Sequence, residues 1–479
     1  MKKWAEIILL LVIVGNTLYF GGVQLLGYSL AEIILLLVAL LVLAGMAIKG
    51  RITVPAPWPL CLFLLLVVFQ LIPLPPAVVR LLSPQRLRGP GRAMAASGSH
   101  WLALSVYSLR TEHALMLFFA YVCAFALAAY AFDSTQRKST LIRGLILLGV
   151  FEAAYGIIQY LTGWQRIFGY VKQVDIFSAT GTYINHDDFA GFLEMIFPFL
   201  LAGAFYFAQQ WMEQSRWKSE KDGGKPASPG VKALMYLFGV LMLAIAVIFS
   251  RSRSGITASL LALVFMVGLA FMRWQGARTI WLVGLAGFLF CVIAYGMFIG
   301  LGPVLARFRR VEEPGYLTAE GRTLMWQNTL HMIRDYPITG VGLGDFDAVY
   351  RRYQTTMVNF FVAHAHNDYL EYAAETGLAG AALLFLPIFW LFGKMIASFL
   401  SDTRRFRSSI VLGCLGSALA ILIHSATDFN LHIPANALIF AAVLGVGYKA
   451  ACYEPKHADP LRETPKRIIH AEPANARLH

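Results

Sequence analysis

Apolar residues along this chain fall in long uncharged runs separated by short polar segments. A helix needs roughly 20 apolar residues to cross the hydrocarbon core of a bilayer. Runs of about that length predict twelve spans, near 5–26, 31–48, 57–72, 113–132, 140–161, 189–209, 233–249, 255–272, 279–301, 377–393, 408–423 and 435–451. The third is short and begins in a Pro-rich stretch. The runs do not alternate polar with apolar, which excludes an outer-membrane barrel. The first run follows Met1-Lys2-Lys3 and has no small-residue cleavage site after it, so it reads as a retained helix. The expectation is an all-α polytopic membrane protein of about twelve transmembrane helices.

Composition agrees. Hydrophobic types make up 58% of the 479 residues and charged types 14%, against about 25% charged in ordinary soluble domains. A plain soluble enzyme and a disordered chain are both excluded. Five cysteines, none with zinc-ligand spacing, argue against a disulfide framework. The net charge of +13 is better explained by topology and anionic lipids than by nucleic acid, which is not expected as a partner.

Lys and Arg in the loops set orientation. They place both termini in the cytoplasm, with long outer loops near 73–112, 162–188 and 302–376. Those outer segments hold fifteen Arg and a single Lys, Lys172, whereas the inner side holds twelve of each. Long exported loops are exempt from the positive-inside rule, which is one reading of the bias. The other is oxyanion binding, because the guanidinium fork grips phosphate in a bidentate manner and an ammonium does not. The organisation is then one transmembrane domain over 1–451. The large outer loop 302–376 interrupts it, and a polar cytoplasmic tail, 452–479, follows. The inner loop near 212–232, with Lys-Asp-Gly-Gly-Lys-Pro, reads as a flexible linker.

Several polar clusters interrupt this pattern. Ser250-Arg251-Ser252-Arg253-Ser254-Gly255 joins two spans with almost no loop; it either anchors the interface or faces an anionic head group. In the large loop, Leu324, Leu330 and Ile333 with Trp326 predict an amphipathic helix on or near the membrane, with Arg322 at its start. Gly340-Val-Gly342-Leu-Gly344 has the wrong spacing and context for a dinucleotide fingerprint and reads as a flexible turn. His364-Ala-His366-Asn367-Asp368 closes the loop. Two His two apart bring metal to mind, but no third strong ligand is evident, and no metal is expected. A neutral His at the membrane face is a natural general base. His424-Ser-Ala-Thr-Asp428 forms a short outer turn in which His424 and Asp428 would pair if helical. Asn185-His186-Asp187-Asp188 reads as helix capping.

Together these residues resemble the O-antigen ligase and O-antigen polymerase superfamily, with its related oligosaccharyltransferases of bacterial envelopes. The resemblance spans about residues 150 to 450. Its most specific part is His366-Asn367, nine residues, then Gly377-Leu-Ala-Gly380. Ser252-Arg253-Ser-Gly255, Gly321-Arg322 with Trp326, Asp335-Tyr-Pro337 and the Gly340–Gly344 segment resemble the rest of the signature. The resemblance implies an inverting, metal-independent glycosyltransferase with a GT-C-like helical fold and no cofactor. It would act in the bacterial inner membrane, on a glycan carried by undecaprenyl diphosphate. It implies His366 as catalytic base, and Arg253 and Arg322, with Arg251 beside them, as diphosphate holders. His364, Asn367, His424 and Asp428 are candidates for support. The acceptor, lipid A–core for a ligase or another glycan for a polymerase, is not distinguished. A solute transporter is the competing class, although transporters concentrate ionisable groups near the midplane.

Overall fold

The computed structural model describes residues 1–50, 58–88, 101–217, 228–273, 319–355 and 361–453. Its helices in chain order are α1 (Lys2–Leu18), α2 (Leu25–Ile48), α3 (Trp58–Leu71), α4 (Pro76–Leu82), α5 (Ser108–Ala131), α6 (Thr135–Thr162), α7 (His186–Trp217), α8 (Pro229–Ser250), α9 (Arg253–Arg273), α10 (Ala319–Asp335), α11 (Phe346–Tyr350), α12 (Asp368–Ser401), α13 (Arg405–His424) and α14 (Pro434–Tyr448). A two-stranded antiparallel ribbon, Arg166–Ile167 with Tyr170–Val171, stands between α6 and α7. The protein is therefore an all-α polytopic membrane protein. Among the described residues nine helices are long and apolar enough to cross a membrane, and α1 and α3 are shorter. Eleven of the twelve expected spans coincide with helices; the ninth, 279–301, lies outside the described residues, as do 302–318 and 454–479. The first span ends earlier than expected, at Leu18, because Phe20, Gly21 and Gly22 take positive φ and turn the chain.

Burial sorts the helices. The apolar stretch of α7 is 89% buried and that of α13 83%, while that of α2 is 28% buried. A helix apolar on all sides and buried on all sides belongs at the centre of a bundle. The centre is thus α7 and α13, with α14 beside them. Leu26, Leu30, Ile33, Leu37 and Leu40 of α2 are exposed, as a lipid-facing helix of a polytopic protein requires.

The amphipathic helix of the large loop forms as expected, as α10, and part of its apolar face packs on protein. Met325, Met332 and Ile333 are buried in a cluster with Tyr336, Val341 and Ala373, whereas Leu330 is exposed. The face that counts is the i, i+7, i+8 row onto α12. Below α10 the Gly-rich turn is interlocked with a break in α12. Gly377 there has φ 72° and ψ 174°, Val341 N–H donates to the Ala374 carbonyl at 3.0 Å, and Leu378 N–H donates to the Pro337 carbonyl at 2.9 Å. A Cβ at Gly340 would stand 2.2 Å from the backbone of Glu375. The turn is built for close backbone approach, not for flexibility. Gln70 of α3 ties it further, its amide donating to the Thr339 carbonyl at 2.6 Å and the Glu375 carbonyl at 2.9 Å.

Candidate active site

The hub of the site is the turn after α13. Its backbone hydrogen bonds come from the candidate residues themselves. Asn367 caps α12, its Oδ1 accepting from Leu370 N–H at 3.1 Å, and its Nδ2 donates to the Ala426 carbonyl at 2.9 Å. Asp368 N–H donates to the Ser425 carbonyl at 2.8 Å. Arg322, in the first turn of α10, donates to the Thr427 carbonyl at 2.6 Å. The Thr427 hydroxyl donates to Ser254 Oγ at 2.9 Å, next to Arg253 at the start of α9. One turn of chain therefore gathers α9, α10 and α12.

Asp428 is 1% exposed and shared. Its Oδ1 lies 2.8 Å from His366 Nδ1 and its Oδ2 lies 3.8 Å from the Arg322 guanidinium. A carboxylate only accepts, so Nδ1 donates in this contact, and in the neutral ring Nε2 is the nitrogen with the lone pair. His366 has φ 48°, a left-handed conformation that costs about 1–2 kcal/mol for a residue with a Cβ. Its ring meets Phe429 edge-on at 4.9 Å. Trp326 helps to hold the segment, its indole N–H donating to the Ala365 carbonyl at 3.1 Å.

The hairpin between α8 and α9 is as tight as its sequence implies. Ser252 Oγ accepts from Gly255 N–H at 3.0 Å, an N-cap of the kind that stabilises by about 1 kcal/mol. Arg251 takes φ 62° and lies over the Tyr160 ring at 5.6 Å. Arg251 Nε and Arg322 Nε are both buried without a hydrogen-bond partner, although buried N–H donors are nearly always satisfied. Two orphaned guanidinium donors suit an anionic ligand. Two other arginines are spent on structure: Arg86 donates to the Ala103 and Ser105 carbonyls and Arg110 pairs with Asp347.

The expected pair His424–Asp428 does not form. His424 Nδ1 instead meets Glu194 of α7 at 3.0 Å, both fully buried, because Asp428 has turned to His366. His364 Nδ1 meets Glu371 at 2.8 Å, and its ring stacks on Phe429 at 4.1 Å. His432 Nδ1 meets Asp368 at 2.7 Å. Burial alone would lower the His432 pKa, but the carboxylates of Glu371 and Asp368 overcome it and hold the imidazolium well above its ordinary range.

Sequence reading passed over some of these neighbours. Asp187, read as a cap, brings an oxygen within 4.8 Å of ligand atoms of His424 and Asp428. Asp187 and Glu194 are seven positions apart on α7, two turns, and so share a face. Asp368, Glu371 and Glu375 follow the same logic at spacings of three and four on α12. A second group, His364, Glu371 and His432, also places its ligand atoms within 4.8 Å. These two groups are where a metal ion could be held among the described residues. An open groove of about 840 Å³, lined by Trp58, Phe125, Leu383, Trp390 and Tyr448, contains none of the candidate site residues.

Residues 238–385 match the O-antigen ligase family. That stretch, about a third of the chain, contains the Arg251–Arg253 hairpin, Arg322 and the His364–Asn367 segment, the residues that carry the resemblance read from the sequence. It ends before Asp428 and His424, which the fold supplies. The match supports glycosyltransferase activity of the ligase and polymerase kind in a multi-pass membrane protein with lipid-linked glycan substrates. No curated protein shows significant similarity to the chain.

Proposed function

We propose that this O-antigen ligase-family protein transfers a glycan from undecaprenyl diphosphate to an acceptor hydroxyl at the periplasmic face of the inner membrane. Both termini are then cytoplasmic. The transfer is inverting and needs no metal. The observation that carries this reading is the shared carboxylate: Asp428 meets His366 at 2.8 Å and Arg322 at 3.8 Å, joining a base to a cation.

In this mechanism His366 Nε2 takes the proton of the acceptor hydroxyl as oxygen attacks the anomeric carbon. Asp428 orients the ring and stabilises the imidazolium that forms. A positioned base contributes roughly 10²–10⁴-fold. The sugar–phosphate bond breaks on the opposite face, and the diphosphate leaves with its charge. Arg322, Arg253 and Arg251 would neutralise that charge, as fixed donors in a water-poor site do in place of a metal ion. The orphaned Nε donors of Arg251 and Arg322 support this role. The acceptor we favour is lipid A–core, as in a ligase.

The test is a deletion strain complemented by parent or His366→Ala, with envelope glycans resolved on a gel. Long chains missing from lipid A–core while lipid-linked polymer accumulates support ligation. Single-repeat products, or loss of a secreted polysaccharide, move the acceptor to another glycan, as in a polymerase. Normal glycans with His366→Ala at parent abundance would overturn the mechanism, and solute uptake surviving that change would favour transport.

A further inference from the structure

We propose that His364, Glu371 and His432, with Glu375 as fourth donor, form a binding site for a divalent transition cation of the Zn²⁺ class. The inference is independent of the transfer reaction.

The donor atoms converge from separate parts of the chain. Glu371 Oε1 lies 2.8 Å from His364 Nδ1 and 3.5 Å from His432 Nε2. Glu375 Oε2 lies 3.9 Å from the same Nε2. Bonds of 2.0–2.1 Å to a tetrahedral Zn²⁺ set neighbouring donors about 3.3 Å apart; the ligand atoms of His364, Glu371 and His432 all lie within 4.8 Å of one another, and Glu375 would have to close in on them as the fourth. Imidazole and carboxylate donors suit Zn²⁺, Co²⁺ and Mn²⁺ better than Mg²⁺.

Two further features point to an ion. His432 Nε2 and Glu375 Oε2 are buried and have no hydrogen-bond partner, and Glu375 is 1% exposed. The carboxylates lie too far from Nε2 for good hydrogen bonds, at 3.5 and 3.9 Å, a gap that an ion between them would fill. The donors are also held from behind, as metal ligands usually are. Asp368 accepts from His432 Nδ1 at 2.7 Å, which aims Nε2 at the carboxylates. Ala365 N–H donates to Glu371 Oε2 at 2.7 Å and Phe346 N–H to Glu375 Oε1 at 3.2 Å. Asp368, Glu371 and Glu375 face two imidazoles here, and a dication on His432 Nε2 would take the place of the proton that the same carboxylates favour. His364, with 31% of its side chain exposed, leaves an entry path. A bound cation would brace the His364–His366 segment against the His432 turn without touching substrate.

The test uses the full chain in detergent, stripped with a chelator and titrated with Zn²⁺ and Co²⁺. One equivalent per chain is expected, with the visible absorption of tetrahedral cobalt. Glu371→Gln and His432→Gln should abolish it. Asp368→Asn should weaken it roughly 10–100-fold, and His364→Ala, at the exposed edge, weakens it without threatening the fold. His366→Ala should bind cobalt as the parent does while losing transfer, which separates the two proposals. Absence of stoichiometric Zn²⁺ in the folded parent, or parent-like binding by His364→Ala and His432→Gln, would overturn the site.

Discussion

His366 and Asp428 are 62 positions apart in the chain and 2.8 Å apart in the fold. The carboxylate fixes which imidazole nitrogen carries the proton and leaves the other free to act as a base. Asp428→Asn keeps the shape but offers an amide that can stabilise the wrong tautomer. Transfer should fall roughly 10²–10⁴-fold, the range known for orienting carboxylates and positioned bases. Assay in membrane vesicles with lipid-linked glycan checks this, and near-parent rates would show that Asp428 does not orient the base.

Arg322→Lys keeps the charge and loses the fork. The guanidinium bonds the Thr427 carbonyl and approaches Asp428 at once, which an ammonium on one point cannot reproduce. A loss of at least about 10-fold in kcat/KM for the donor is expected. Titrating the lipid-linked donor over parent and variant measures it; equal values would remove Arg322 from donor binding.

Gly340→Ala tests the interlock beneath the site. Gly340 has φ 67°, and an added Cβ would meet the Glu375 backbone at 2.2 Å. Backbone strain and the forced shift together should cost about 2–4 kcal/mol. Thermal unfolding in detergent should show a clear drop in Tm, with Gly169→Ala, where the new Cβ meets nothing within 4 Å, as the control.

Asp345 makes stability fall with rising pH. Burial pushes its carboxyl from 3.8 up to about 7, against hydrogen bonds from Tyr107 N–H and the Ser105 hydroxyl and with the help of the Glu375 charge. Between about pH 4 and 7 the folded state holds a proton that the unfolded chain has released. Stability therefore declines across that window and levels off above it, by on the order of 4 kcal/mol for a shift of about three units. Asp345→Asn should flatten the profile and raise Tm at pH 8 more than at pH 5. An unchanged difference between the two pH values would contradict it.

Periodicity and charge determined the architecture. Uncharged runs of about twenty residues can only be helices in a bilayer, since every backbone group must bond within its own segment. Local spacing also marked Arg253, Arg322 and His366, because a short motif keeps its meaning wherever the chain carries it. Tertiary structure decided partnership. Asp428 could bond His424 four residues back or His366 across the fold, and only packing of α13 against α7 and α12 settles it, with Glu194 taking His424. The same holds for Glu371, Glu375 and His432: helical spacing puts the two carboxylates on one face, but the histidine arrives from beyond the next span. The apolar face of α10 was legible as a face; that its Met325, Met332 and Ile333 row meets α12 depends on the turn at Gly340 and the break at Gly377. A sequence states which groups exist and how neighbours repeat, while contacts between distant segments are chosen by the free energy of the whole packed chain.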